Sequence, residues 1–248
     1  MPTGNNYDVT IVGGGVAGLS AAIFTARHDL DTIVLDAGGS ILRRNAHLEN
    51  YPGFPAGVNG RLLLDMMREQ AERAGCLYRR AEVERVNNST DGFEVESATG
   101  DRYTATYVIA ATKNAVDYLA DLDGVDIVDR GKTFVDTDER GRTGVEGLYA
   151  AGRLAGKPHQ TVVSAGHGAE VAVTLLEDAD RPFYHDWVVP ERYFTGRDRE
   201  VPPGCEEIDE AERREREAES LATMCEYFAE LHPDGPEMHP SVATEDEE

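Results

Sequence analysis

The sequence predicts an α/β fold, a three-layer domain on a parallel sheet, and three observations carry that expectation. An apolar, β-branched run from Tyr7 to Val12 leads at once into GGGVAGLSAA, which opens a helical run ending near Arg27. A second apolar run, Thr32 to Leu35, ends in Asp36. Strand, glycine turn, helix and strand in that order form a βαβ unit. At 248 residues the chain can bury one sizeable core, or one core with an appendage, so a single ligand-binding domain is expected.

The later elements follow from their periodicities. Arg61 to Gly75 carries Leu62, Leu63, Met66, Met67 and Ala71 at helical spacing, with Gly75 placed to end the helix. Between Ala81 and Thr106 the runs shorten and alternate, punctuated by Asn87-Asn88, Asp91-Gly92 and Gly100-Asp101, which predicts a small antiparallel meander. Tyr107 to Ala111 and Gly147 to Ala151 read as buried strands, and Thr161 to Leu176 as a helix packed on the sheet. After Asp180 the character changes to Pro, Gly, Arg and aromatic residues, followed by a charged helix from Ile208 to Leu231. The expected organisation is a nucleotide-binding domain over residues 1–180, a C-terminal helical extension over 181–232 and an acidic, disordered tail over 233–248.

The formal net charge of -23 argues against nucleic acid or an anionic membrane as a partner, because both repel a surface of carboxylates. Lysine occurs only at Lys113, Lys132 and Lys157. Many carboxylates with few lysines suit a protein that stays hydrated in concentrated salt, so a halophilic source is expected beside the plainer reading of an acidic cytoplasmic protein. MPTGNNYDVT lacks the basic start and apolar core of a signal peptide, and no window approaches a membrane span, so a cytoplasmic location is expected. Cys76, Cys205 and Cys225 form no close pair and no common metal spacing, which fits a reducing compartment.

Gly13-x-Gly15-x-x-Gly18 is a weak motif alone, but here it follows a strand, opens a helix and precedes Asp36 at the end of the next strand. Gly13 allows the tight turn, Gly15 the approach of a pyrophosphate, and Gly18 close packing of helix on strand. The helix N-terminus, at Val16 and Ala17, offers free N–H donors to that anion. Asp36, followed by Ala37, is placed to accept hydrogen bonds from the ribose hydroxyls that FAD and NAD share. The fold is therefore expected to be a Rossmann-like FAD/NAD(P)-binding domain.

From the glycine loop through Gly38-Gly39 to Glu49-Asn50-Tyr51-Pro52-Gly53-Phe54, the chain resembles the low-molecular-weight thioredoxin reductases. The similarity resumes at Arg142-Thr143, at Gly147-Leu148-Tyr149-Ala150-Ala151-Gly152, and at His159-Gln160 with Ser164-Ala165-Gly166. The resemblance implies FAD as cofactor. It places Asn50 and Tyr51 beside the isoalloxazine and ribityl groups, and Gly152 and the helix from Thr161 as backbone donors toward the ribityl and pyrimidine end, with Gln160 close to that helix N-terminus. Family members insert an NADPH domain carrying a redox Cys-x-x-Cys after the strand matching Tyr107 to Ala111. Here only Thr112 to Gly131 stands there, where a βαβ unit alone takes ~30 residues. These residues hold no second GxGxxG and no CxxC. Where relatives carry Gly after Ala-Thr and Asp after Ala-Gly, this chain has Lys113 and Arg153. Arginine cannot accept the ribityl hydrogen bond of that Asp, but its donor fork could reach the pyrophosphate.

No catalytic residue is fixed by pattern. His159 and His167 are the candidates, as residues that titrate near neutrality and stand near the expected flavin end, against the commoner reading of solvated or capping histidines. Cys205 and Cys225 could form a redox pair, but Cys225 falls on the apolar stripe of Ala211, Ala218, Leu221, Ala222 and Phe228, where a buried thiol is simply small core. That stripe needs a cover, either the domain's own flank or a second subunit in a homodimer. Phe183, Tyr184, Trp187, Tyr193 and Phe194 read either as a flap across the flavin or as a packing strip. The function expected is a flavoprotein oxidoreductase that exchanges electrons with a separate redox-partner protein or a small-molecule substrate. The competing readings are a non-catalytic dinucleotide-binding module and a nicotinamide-dependent dehydrogenase.

Overall fold

A computed structural model describes residues 5–183, 185–239 and 241–242. The chain divides into two compact units, Met1–Leu175 with Asp234–Glu248, and Leu176–Pro233.

In the first unit, β1 (Asn6–Val12) runs parallel to β2 (Thr32–Asp36), with α1 (Val16–Arg27) crossing between them. Val9, Ile11, Ile33 and Val34 are fully buried, as β-branched residues in a sheet covered on both faces should be. Most of α1 is buried too, from Ala17 to Ala26, so it is an interior helix rather than an amphipathic one. The next helix, α2 (Gly60–Arg73), is amphipathic: Leu63, Leu64, Met67 and Ala71 are buried, while Arg68, Glu72 and Arg73 face water. Asn59 caps it, its side-chain oxygen accepting from the N–H groups of Arg61 and Leu62 at 2.9 and 3.3 Å. A strand that the periodicity does not announce, β3 (Leu77–Arg80), then pairs parallel with β2.

The meander consists of β4 (Val83–Ser89), β5 (Gly92–Ser97) and β6 (Arg102–Ala110). Asp91-Gly92 and Gly100-Asp101 mark its turns, whereas Asn87-Asn88 lies inside β4. The third meander strand and the buried strand read separately from the sequence are one element. Its first half alternates, with Tyr103 and Ala105 buried between exposed neighbours, and pairs antiparallel with β5. Its second half, Val108 to Ala110, is buried throughout and pairs parallel with β9 (Leu148–Ala150). One strand therefore serves two sheets' worth of pairing, and β1 lies along its other edge. The parallel order is β3-β2-β1-β6-β9. Between β6 and β9 lies a small hairpin, β7 (Ile127–Asp129) and β8 (Thr133–Val135). The helix α3 (Thr161–Asp178) buries Ala165, Val171, Ala172 and Leu175.

The second unit holds a parallel ribbon, β10 (Trp187–Pro190) and β11 (Cys205–Ile208), and the charged helix α4 (Glu210–Tyr227). Asp209 caps α4 by accepting from the Glu212 N–H at 2.8 Å. Along it Arg213 and Arg214 each meet Glu210 at 2.8 Å, and Arg216 meets Glu212 at 2.5 Å, at spacings of three or four residues. The helix stops at Tyr227, short of Leu231, and no residue on it is buried. Cys225 is exposed rather than small core, and Leu221 is 67% exposed. Trp187, Tyr193 and Phe194 meet edge to face, with ring centroids 5.0 to 6.3 Å apart. Tyr184 lies outside the described residues. So do residues 240 and 243–248 of the expected disordered tail. Within that tail's described part, Arg43 pairs with Asp234 at 3.4 Å and also with Glu237. No helix among the described residues is long and apolar enough to cross a membrane.

Candidate functional site

A cavity of about 460 Å³ opens in the first unit along the C-terminal ends of β1 and β2. Open α/β sheets bind ligands at this edge, because helix N-termini and loops converge there. Its floor is the glycine loop. Gly13 has φ +110°, a left-handed turn, and a Cβ at Gly18 would stand 1.9 Å from the Gly13 carbonyl oxygen, so only glycine lets α1 leave the sheet at this angle. Gly15 precedes α1 with no side-chain cap, which leaves the N–H groups at the start of α1 without a side-chain partner. Gly15, Val16 and Ala17 all line the cavity, so an anion there meets free donors and the positive end of the helix.

Asp36 and Ala37 line one end. The Asp36 carboxylate is tied down on both oxygens: Oδ1 accepts from the Gly14 N–H at 3.1 Å and Oδ2 from the Tyr78 hydroxyl at 2.5 Å, with Arg80 at 3.6 Å. Burial and the Asp36 charge push the Tyr78 hydroxyl pKa up, so it stays a donor. At the other end, Asn50 donates to the Gln160 side-chain oxygen at 2.9 Å, joining the loop after β2 to the start of α3. Asn50, Gln160, Thr161, Thr112, Arg153 and His159 all line the cavity. Thr112 also contacts the Tyr118 hydroxyl at 2.9 Å, which fixes the loop leaving β6.

Four of the residues singled out from the sequence lie off this lining. Gly18 does its work behind the floor, as the packing contact just described. Tyr51 stands in the neighbouring Glu49–Pro55 loop, its ring 6.1 Å from Phe54, with its hydroxyl pKa raised by burial. The Gly152 N–H is committed to His167, whose Nδ1 accepts it at 2.9 Å, so this donor is not free for a ribityl chain. His167 is 4% exposed, and burial, followed by the Lys157 charge, holds its pKa down to about 4. It is therefore a neutral interior acceptor rather than a proton shuttle at the cavity. His159 is exposed, with its pKa lowered by desolvation and then by Arg153, Lys113 and Lys132.

Some lining residues escape sequence reasoning. Ala81, Glu82 and Val83 reach the cavity only because β3 pairs beside β2, a long-range consequence with no local signal. Arg61 is 2% exposed and donates to the carbonyls of Arg43 and Asn45 at 3.0 and 2.7 Å, holding the turn that carries Ile41, Leu42 and Asn45 into the wall. Lys113 stands at φ +68°, the left-handed conformation that favours glycine. Cys76, buried beneath β2, has its thiol pushed up to about 12 by desolvation, and it is no nucleophile.

Residues 8–42 match the FAD-binding domain family, a stretch running from β1 through the glycine loop to the turn beyond Asp36. The chain binds FAD by this match, and over the same part it is similar to thioredoxin reductases. It is 39% identical over 115 residues to the bifunctional thioredoxin reductase/thioredoxin of Mycobacterium leprae, a match covering 46% of this chain and 25% of that protein. It is 40% identical over 106 residues to the thioredoxin reductase of Rickettsia typhi, covering 42% and 34%. The thioredoxin reductase-like match thus spans about a third or less of these curated relatives. A thioredoxin reductase structure from Gloeobacter violaceus superposes with a TM-score of 0.63 at 20% identity, covering 73% of this chain and 98% of that one, which establishes the fold. The cavity suits FAD on its own geometry: a glycine floor, uncapped helix donors, a ribose-side carboxylate and an amide pair at the far end.

Proposed function

We propose that this chain is the flavin-bearing part of an oxidoreductase, exchanging electrons with a separate redox-partner protein or a small substrate. The observation that carries the reading is one continuous cavity with the donors of α1 at its floor, Asp36 at one end and the Asn50–Gln160 pair at the other. FAD, when bound, supplies the electron-transfer chemistry of its isoalloxazine ring. The chain's own residues hold and orient it. The α1 N-terminus faces the diphosphate, Asp36 the ribose, and Asn50, Gln160 and Thr161 the far end. Leu42, Leu48 and Val83 supply apolar wall. His159, neutral near pH 7 by the direction of its shift, is the side chain free to accept a proton there.

A self-contained NADPH-to-thioredoxin reaction is not proposed, since these 248 residues contain neither a second GxGxxG nor a CxxC. The second reading, a dinucleotide-binding module without redox turnover, is favoured by Arg153, which lines the cavity where relatives carry Asp. Anaerobic titration separates the two. The flavin-loaded chain should lose its oxidised absorption with dithionite or light and regain it with an oxidised electron carrier. Bound FAD that neither dithionite, a dithiol nor a carrier protein can reduce would sink the oxidoreductase reading.

A further inference from the structure

In a chain with 47 acidic and 24 basic residues, cations are expected to sit in ion pairs. Around this cavity Arg80 does pair with Asp36, but four other cations do not. Lys113 and Arg153 line it, and Arg44 and Lys132 lie close enough to act on Lys113 electrostatically. Among the described residues none of the four has a carboxylate within ion-pair distance; Arg79, Arg130 and Arg197 share that state singly, whereas Arg68, Arg73, Arg85 and Arg102 are paired, and what sets the four apart is that they gather at one place. Their convergence is built into the fold. Arg44 ends the turn clamped by Arg61, and Lys132 tips the β7–β8 hairpin, which the Asn114 side chain holds to the Lys113 loop by donating to the Thr133 carbonyl at 2.8 Å. Desolvation lowers the Lys113 pKa, and the like charges of Arg44, Arg153 and Lys132 lower it further. The FAD diphosphate carries one negative charge on each phosphate, fewer than the four cations; of the two carboxylates lining the cavity, Asp36 is paired with Arg80 and Glu82 remains, so about one positive charge is left over.

We propose that Arg44, Lys113, Lys132 and Arg153 form a second site at the cavity, for a small carboxylate- or phosphate-bearing ligand bound beside FAD. The inference rests on the flavin reading. A small ligand fits better than an acidic protein for an electrostatic reason. A macromolecule approaching from solution meets the whole -23 charge, whereas an anion already inside the cavity, within a Debye length of about 10 Å at 0.1 M salt, responds mainly to these four neighbours.

The test uses the full chain loaded with FAD, titrated by calorimetry and flavin difference absorbance at constant ionic strength. Inorganic pyrophosphate probes phosphate chemistry and tricarballylate probes carboxylate chemistry. The expected result is saturable binding of at least one probe to the FAD-loaded chain with a shift of the flavin bands. The pair Arg44→Gln and Lys132→Gln should weaken it roughly tenfold, with FAD affinity changed far less. Three results overturn the proposal: no binding of either probe, binding only in competition with FAD, or binding indifferent to the two substitutions. A chain that takes up no FAD fails the flavin reading itself, and that is seen before any probe is added.

Discussion

His167 shows how one side chain couples the site's architecture to pH. Its imidazole is buried and accepts the Gly152 N–H, so folding holds it neutral and drives its pKa down to about 4, against about 6.5 in an unfolded chain. A depressed histidine stabilises the fold fully above the unfolded value. Below it the unfolded chain takes up a proton that the folded one refuses, so stability falls as pH drops from about 6.5 toward 4. Between pH 7 and pH 5 this group should cost about 2 kcal/mol of stability. Urea unfolding at the two pH values, with His167→Asn as the comparison, checks it, because the carboxylates titrate alike in both proteins. An equal loss in the wild type and the variant would contradict the assignment. At this scale the sequence told part of the story. Gly13, Gly15 and Asp36 were legible because their chemistry is local to one βαβ unit. His167 and Gly152 were legible as neighbours of the site but not as each other's partner, since fifteen residues of turn and helix separate them. Arg61 carries no local signal at all, because the carbonyls it holds belong to a turn that only the fold brings near.

At the scale of elements, a single carboxylate ties the aromatic loop of the second unit to β11. Glu207 on β11 accepts from the N–H groups of Arg192, Phe194 and Thr195 and from the Thr195 hydroxyl, at 2.5 to 3.0 Å. These bonds hold its pKa down to about 2. The loop they fix carries Tyr193 and Phe194, which pack on Trp187, the single tryptophan of the chain. Glu207→Gln removes one acceptor oxygen and sets an NH₂ against backbone donors, so the loop should loosen and Trp187 emission should move to longer wavelength. Unchanged emission would show that the aromatic contacts hold the loop alone. The same carboxylate gives a pH response: its stabilisation is present above the ordinary carboxylate range and is lost as pH falls through that range toward 2. Elements were legible where the pattern ran long. The apolar runs of β1 and β2 and the spacing of α2 and α3 needed no tertiary context. Three-residue strands such as β7 and β8 are too short to show a period. The end of β6 hides its continuity, because alternation gives way to full burial inside one strand. The apolar stripe of α4 reads as core in sequence yet is exposed, since ion pairs three and four residues apart support a helix without an interior to pack against.

For the molecule as a whole, a net charge of -23 is the dominant electrostatic fact. Self-repulsion among exposed carboxylates opposes compactness, and salt screens it, with a Debye length falling from about 10 Å at 0.1 M to about 3 Å at 1 M. We propose that the chain is adapted to concentrated salt, so its thermal midpoint should rise steadily as potassium chloride is raised from about 0.1 to 2 M. A midpoint that stays flat or falls would make the acidity incidental. The four cations of the proposed anion site, unpaired among the described residues, work against this background as a local reversal of sign. The glycine floor, the α1 donors and Asp36 together build the cavity for FAD. The most direct test is the absorption spectrum of the chain purified in high salt, followed by heat release and identification of any chromophore. The account predicts flavin absorption bands and FAD in the supernatant, or stoichiometric uptake of added FAD by a colourless preparation. A colourless protein that takes up no FAD would contradict it.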